Sequence, residues 1–148
     1  MAGSVSEERS SFAAPAVSPA GRVGIGLMVV SSLGWAAGVA FGDLEHVFDR
    51  GWPDHARFHA LQALMWLIAL TVSVVAVVAG PLRRHERWSL WLLAALLVLG
   101  QGSYFASMVV VPGGAPTEWY ATPLSALNIA LYAFGLWLCR REQRPACT

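Results

Sequence analysis

Four long apolar runs, separated by short clusters of charge, constrain the fold of this chain more than any other feature. They cover approximately residues 23–41, 60–79, 88–111 and 120–138. The hydrocarbon core of a bilayer is ~30 Å thick and takes roughly 20 helical residues to cross. The runs therefore predict an all-α protein, a four-helix transmembrane bundle with up-down-up-down topology.

The composition agrees with this prediction. Hydrophobic residues make up 56% of the chain and charged residues 13%, whereas a soluble domain has about 25% charged residues. We therefore predict three segments: a disordered cytoplasmic tail over residues 1–21, a transmembrane domain over residues 22–140, and a short cytoplasmic tail over residues 141–148. The lipid bilayer is the predicted partner, and the net charge of +1 gives no basic field for nucleic acid.

The first apolar run has an alternative interpretation as the core of a signal peptide. The small residues Gly38, Val39 and Ala40 resemble a cleavage site. The acidic residues Glu7 and Glu8, and the length of the run, favour a retained helix instead. Whether the first span is ever cleaved stays open at this point.

The distribution of arginine predicts the orientation of the bundle. Eight arginines flank the spans on the side of both termini, and two flank them on the other side. The first set is Arg9, Arg22, Arg83, Arg84, Arg87, Arg140, Arg141 and Arg144, and the second is Arg50 and Arg57. Because positive charge is retained in the cytoplasm, we expect a multi-pass protein of the cell membrane with both termini inside.

A row of glycines marks one face of the first span. Gly34, Gly38 and Gly42 are four residues apart, so they lie on the same side of a helix. Small residues let another helix approach closely, and the row therefore predicts tight packing inside the bundle. A homo-oligomer that uses the same face is the alternative.

The connection between the first and second spans concentrates the ionisable residues. Asp43, Glu45 and His59 fall at predicted helix ends, where a charged group is costly unless it faces a partner or a watery cavity. His55 and His59 are four residues apart near a helix N-terminus, which disfavours imidazolium, so we expect neutral rings that can accept a proton. With Glu118 of the third connection, the candidate catalytic residues are Glu45, His55, His59, Asp43 and Glu118.

The same histidines and the cysteines give little support for a metal. Ala56 stands where the zinc-protease motif H-E-x-x-H has its glutamate, and H-x-x-x-H alone is a weak metal pattern. Cys139 and Cys147 show no C-x-x-C spacing. We therefore predict reduced thiols, no bound metal and no cofactor.

Polar residues inside the spans predict a cavity beneath that connection. Counted along the helices, Gln62, Asn128 and Gln101 lie roughly 9 to 15 Å from the predicted outer face, and Tyr104 is close to Gln101. Gln62, Gln101, Tyr104 and Asn128 are therefore the candidate ligand-binding residues. For any one amide, a hydrogen bond between helices is the better explanation, and it is their common depth that favours a cavity.

A resemblance supports this interpretation. The run Trp52-Pro53-Asp54-His55-Ala56-Arg57-Phe58-His59, followed by Gln62, resembles the W-P-x-H-A-x-F-H motif of a family of small four-helix membrane proteins from bacteria and fungi. The resemblance implies this fold over about residues 23–139 and a role for both histidines of the motif, but it supplies no reaction. In architecture alone the chain is also similar to sterol-isomerase-like membrane proteins, which move protons on lipophilic substrates.

Two functions remain open from the sequence. The first is an enzyme of isomerase or cyclase type that transfers protons on a lipophilic molecule, with an acid such as Glu45 and a base such as His59 in unequal environments. The second is a non-enzymatic binding, transport or accessory protein. The inner halves of the second and fourth spans are almost wholly apolar, which argues against a continuous polar path for transport.

Overall fold

Four helices form the structure, a computed structural model that describes residues 16–111 and 119–143 apart from the side chain of Asp43. They are α1 (Pro19–Phe48), α2 (Asp54–Leu82), α3 (Arg87–Val110) and α4 (Ala121–Glu142). All four are long and apolar enough to cross a membrane. The predicted all-α, four-helix fold is therefore confirmed, and α1 extends beyond its predicted apolar run at both ends.

The helix boundaries follow from local capping and from proline. Ser18 precedes α1, and its hydroxyl accepts a hydrogen bond from the Gly21 N–H at 3.0 Å. Pro19 takes the first helical position, where its missing N–H costs nothing. The second apolar run was predicted to end at residue 79, but α2 continues through Gly80 and Pro81 in a π-helical turn, Val78–Leu82.

The helices pack as antiparallel neighbours because the connections between them are short. α1 packs against both α2 and α4, and α3 packs against α4 and α2. One end of the bundle, here called the arginine end, carries Arg22, Arg83, Arg84, Arg87, Arg140 and Arg141. The opposite end, here called the histidine end, carries His46, His55 and His59.

The buried core lies in the half of the bundle next to the arginine end. It consists of Met28, Val74, Val77, Val78, Leu82, Leu93, Tyr132 and Cys139. α1 and α4 approach most closely here, because a Cβ atom on Gly24 would lie 2.6 Å from the Gly135 carbonyl oxygen. The Ser18 N–H also donates to Glu142 Oε1 at 2.6 Å and ties the start of α1 to the end of α4.

The predicted tight packing along the glycine row Gly34, Gly38 and Gly42 is wrong. Among the described residues, a Cβ atom on Gly38 or Gly42 would meet nothing within 4 Å, and one on Gly34 would meet only Asn128 Oδ1, at 3.5 Å. Since α1 and α4 make their closest contact at Gly24 and Gly135, the row at the histidine end is left beside open space.

The outer surface of the bundle is apolar. Phe41, Trp91 and Val109 are at least three-quarters exposed, and no more than 22% of the most apolar stretch of any helix is buried inside the bundle. A soluble monomer rarely exposes continuous apolar surface of this extent. The chain is therefore a multi-pass membrane protein whose helices are embedded in lipid.

Candidate functional site

A cavity of about 610 Å³ opens at the histidine end between α1, α3 and α4. The glycine row Gly34, Gly38 and Gly42 forms its α1 wall. Ligand cavities in proteins commonly measure roughly 300 to 1,000 Å³. At this level α1 and α4 are further apart than at their closest contact, and the three glycines of α1 place no side chains in the gap. Both features leave the space that forms the cavity.

His46 ends the glycine row and lines the same cavity. It is four residues beyond Gly42, so it lies on the same face of α1. Its ring stacks on Trp52, with the ring centres 4.1 Å apart and the planes 15° from parallel. The stacking holds the imidazole at the mouth of the cavity.

Asn128 and Ser125 supply polar groups on the α4 wall. The Asn128 Nδ2 donates to the Leu124 carbonyl at 3.3 Å, while its Oδ1 points toward the glycine row, as its proximity to Gly34 shows. Among the described residues, neither this oxygen nor the Ser125 hydroxyl has a hydrogen-bond partner. Both atoms are therefore available to a bound molecule.

The inner end of the cavity is closed by aromatic rings. Trp35 and Tyr104 meet edge to face at 5.4 Å, and both line the cavity. The Tyr104 hydroxyl is buried and has no hydrogen-bond partner among the described residues. Beside it, the Ser31 hydroxyl donates to the Asn128 carbonyl at 2.7 Å and joins α1 to α4.

Gln101 lies behind this wall, in a second cavity of about 30 Å³. A π-helical turn, Leu97–Gln101, interrupts α3 at this point, and such turns are frequent at functional sites. The Gln101 Nε2 is 3.5 Å from the Ser31 hydroxyl, but Gln101 Oε1 and the Ser32 hydroxyl are buried without partners among the described residues. A water needs about 10–15 Å³, so the cavity has room for one.

The predicted histidine pair forms a separate cluster on α2. The Nε2 atoms of His55 and His59 are 3.0 Å apart, and His59 Nδ1 is 3.3 Å from Gln62 Oε1. All three side chains are exposed, and α2 contributes no residue to the wall of the large cavity. Glu45 is exposed on α1 and does not line the cavity either.

The structure thus divides the predicted site into three parts. His55, His59 and Gln62 lie together on α2, Gln101 lies in the small cavity, and the large cavity contains Tyr104 and Asn128. The Asp43 side chain and Glu118 lie outside the described residues. Within the described part of the chain, no three His, Cys, Asp or Glu side chains are placed to hold a metal ion.

Sequence reasoning missed three polar residues of the large cavity, His46, Tyr120 and Ser125. His46 carried a usable signal, because it continues the four-residue spacing of the glycine row. Ser125 carried a weaker one, since it precedes Asn128 by three residues and shares its helix face. Tyr120 has the properties of an interfacial aromatic residue, which concealed its place at the mouth.

Comparison with known proteins does not extend the site. The chain matches no protein-family model, and it shows no significant match to curated proteins or to solved structures. The resemblance of residues 52–59 to the four-helix family is therefore not supported by a family match, and the function has to be argued from the cavity itself.

Proposed function

We propose that this membrane protein binds a lipophilic small molecule in the cavity at the histidine end. The observation that supports the proposal is the composition of the wall: the glycine row and Trp35 offer apolar surface, whereas His46, Ser125 and Asn128 offer polar groups. Binding sites combine a mostly apolar lining with a few polar groups that fix the orientation of the ligand.

Packing energetics favour an occupied cavity. Helices in a membrane associate through close packing, and a gap between them forfeits the dispersion contacts of its walls. α1 and α4 are already in backbone contact at Gly24 and Gly135. A molecule that fills the gap beside Gly38 regains those contacts without moving either helix.

The polar groups define the chemistry of the ligand. His46 lies at the mouth and Gly34 at the inner end, which are 12 residues apart on α1 and therefore about 18 Å apart along the helix. Part of the way in, Asn128 Oδ1, which has no partner among the described residues, can accept a hydrogen bond from the ligand. An elongated apolar molecule with a hydroxyl or amide donor fits this arrangement.

The position of the core argues against a transport path in this conformation. The interior between the cavity and the arginine end is filled by buried residues that include Met28, Leu93 and Tyr132. The only described polar group that Tyr132 uses there is the Leu93 carbonyl, to which its hydroxyl donates at 3.2 Å. Binding from one side therefore fits the structure better than passage through it.

Filling the cavity tests the proposal. Gly38→Leu adds a side chain where a Cβ atom meets no described residue within 4 Å, so the variant should fold and the cavity should shrink. We expect a discrete lipophilic molecule to copurify with the wild type in mild detergent and to be lost from Gly38→Leu, as measured by mass spectrometry of organic extracts.

Gly26→Leu provides the matched control. It makes the same change on the same helix, again where a Cβ atom meets no described residue within 4 Å, but outside this cavity. It should retain the molecule. If the wild type and both variants yielded the same amount of the molecule, the binding proposal would be refuted.

Proton transfer on the bound molecule is the second candidate function. The hydrogen-bonded row His55, His59 and Gln62 favours it, because histidine serves as a general base and as a proton shuttle. Glu45, His55 and His59 do not line the cavity wall, so in this version the bound molecule extends beyond the mouth, where Glu45, Asp43 or Glu118 is the acid and His55 or His59 the base. His46 is the imidazole already in the cavity wall.

Hydrogen exchange separates this candidate from binding alone. Purified protein incubated in heavy water should incorporate deuterium into carbon positions of the copurified molecule, detected by mass after hydroxyl positions are exchanged back. His59→Ala and Glu45→Gln should lose the incorporation while retaining the molecule, whereas Asp49→Asn should keep both. If the wild type binds the molecule but no deuterium enters the molecule's carbon positions, the protein binds it without transferring protons.

A further inference from the structure

A second feature of the surface, independent of the histidine-end cavity, lies between α3 and α4 at the arginine end. It is a groove of about 390 Å³ with Arg87 and Arg140 at its mouth. Leu90, Ala94 and Leu136 line its length. Ala94 is seven residues beyond Arg87, so the apolar part continues for about 10 Å along α3.

The two arginines at the mouth have no ion pair or hydrogen bond with the described residues. Neighbouring arginines are engaged: Arg84 Nε lies 3.4 Å from Glu86 Oε1, and the Arg141 guanidinium lies 4.4 Å over the Trp137 ring. Two unpaired guanidinium groups at the edge of an apolar groove therefore create a local excess of positive charge.

The described glutamates at this end, Glu86 and Glu142, bond to partners other than Arg87 and Arg140. Glu142 accepts the hydrogen bond of the Ser18 N–H on α1. Glu86 accepts a hydrogen bond from Trp88 Nε1 at 2.6 Å in addition to its ion pair with Arg84. Among the described residues, neither carboxylate pairs with Arg87 or Arg140, and the six arginines of this end outnumber its two glutamates.

We infer that this groove binds an anionic phospholipid, with the phosphate between Arg87 and Arg140 and an acyl chain along Leu90 and Leu136. Guanidinium matches phosphate in geometry and charge, and basic pockets between transmembrane helices bind anionic head groups. A free soluble anion would leave the apolar length of the groove unfilled. The groove lies within the membrane-spanning part of α3 and α4, where acyl chains are the surrounding solvent.

Lipid titration of the delipidated, full-length protein in detergent tests the inference, with native mass spectrometry as the readout. Phosphatidylglycerol should bind, and phosphatidylcholine with the same chains should bind much more weakly. The double variant Arg87→Gln/Arg140→Gln should lose affinity for phosphatidylglycerol by roughly 30-fold, the effect of two surface arginine contacts.

The matched control removes the same charge from the same end. Arg84→Gln/Arg141→Gln replaces two arginines that do not line the groove, and it should retain the affinity of the wild type to within a few-fold. Equal losses in both double variants, or equal binding of both lipids to the wild type, would overturn the inference. sn-Glycerol 3-phosphate should not compete at the concentration of the lipid, and effective competition would assign the groove to a soluble anion instead.

Discussion

Hydrogen bonds in this protein differ in what surrounds them, and that difference decides what each residue contributes. The bond from the Tyr132 hydroxyl to the Leu93 carbonyl is buried. The contact between His55 and His59 is exposed at the end of the bundle. Water cannot replace a lost hydrogen bond in a buried site, whereas exposed groups exchange one partner for water. The tyrosine is therefore structural, and the histidines are available for function.

Substitution at these two residues should show the contrast. We expect Tyr132→Phe to lower the free energy of unfolding by about 0.6 to 1 kcal/mol. His59→Ala should change it by less than about 0.5 kcal/mol, as is usual for exposed positions. Unfolding in a denaturing detergent, followed by circular dichroism, measures both. A larger loss for His59→Ala would make His59 a packing residue and remove it from the proposed site.

At the scale of the helices, the contact between α1 and α4 sets the shape of the cavity. The contact is closest where Gly135 faces Gly24, since a Cβ atom on Gly135 would lie 2.5 Å from the Gly24 carbonyl oxygen. Toward the histidine end the same two helices leave the large cavity between them. A backbone contact at one end and a gap at the other require small residues in both places, for different reasons.

Alanine substitution separates the two roles of glycine. Gly135→Ala should destabilise the protein by about 1 to 3 kcal/mol, because backbone atoms have to move to admit the methyl group. Gly38→Ala should be neutral or slightly stabilising, since its Cβ atom meets nothing and alanine favours the helix. Unfolding midpoints in detergent check both, and equal destabilisation by the two variants would contradict the observed helix contact.

The spacing of glycine could be read from the sequence, but the point where the helices meet could not. Gly34, Gly38 and Gly42 form a regular row, and the sequence predicted contact there. Gly24 and Gly135 are separated by most of the chain, and nothing local indicates that they face each other. The contact depends on how α1 and α4 cross, which the packing of the whole bundle determines.

The same limit applies to the amides. Counting residues along the helices predicted that Gln62 and Asn128 lie at comparable depths, but it could not predict which face each side chain occupies. Gln62 is on the exposed side of α2.

At the scale of the molecule, the two ends of the bundle have different characters. The arginine end is basic and lies next to the buried core, and the histidine end holds the large cavity and the exposed histidine pair. Length and hydropathy were sufficient to predict four spans because a bilayer leaves few alternatives for the backbone. Orientation in the membrane rests on the arginine count alone and stays a prediction.

Thiol labelling in intact cells tests that orientation. In a Cys147→Ser background, Asp49→Cys should react with a membrane-impermeant reagent, because Asp49 lies at the histidine end, predicted to face outside. Arg84→Cys should react only after permeabilisation. Cys139 is buried and should stay silent in both. Labelling of Arg84→Cys in intact cells would place the arginine end outside.

The central claim is that the histidine-end cavity holds a particular molecule rather than bulk lipid. Photocrosslinking in native membranes tests it most directly, with p-benzoylphenylalanine placed at Tyr120, which lines the cavity, or at Phe134, which does not. The two side chains are similarly exposed, at 53% and 50%. We predict a single discrete mass adduct at position 120 and a broad distribution of membrane lipids at position 134. The same lipid distribution at both positions would contradict the claim.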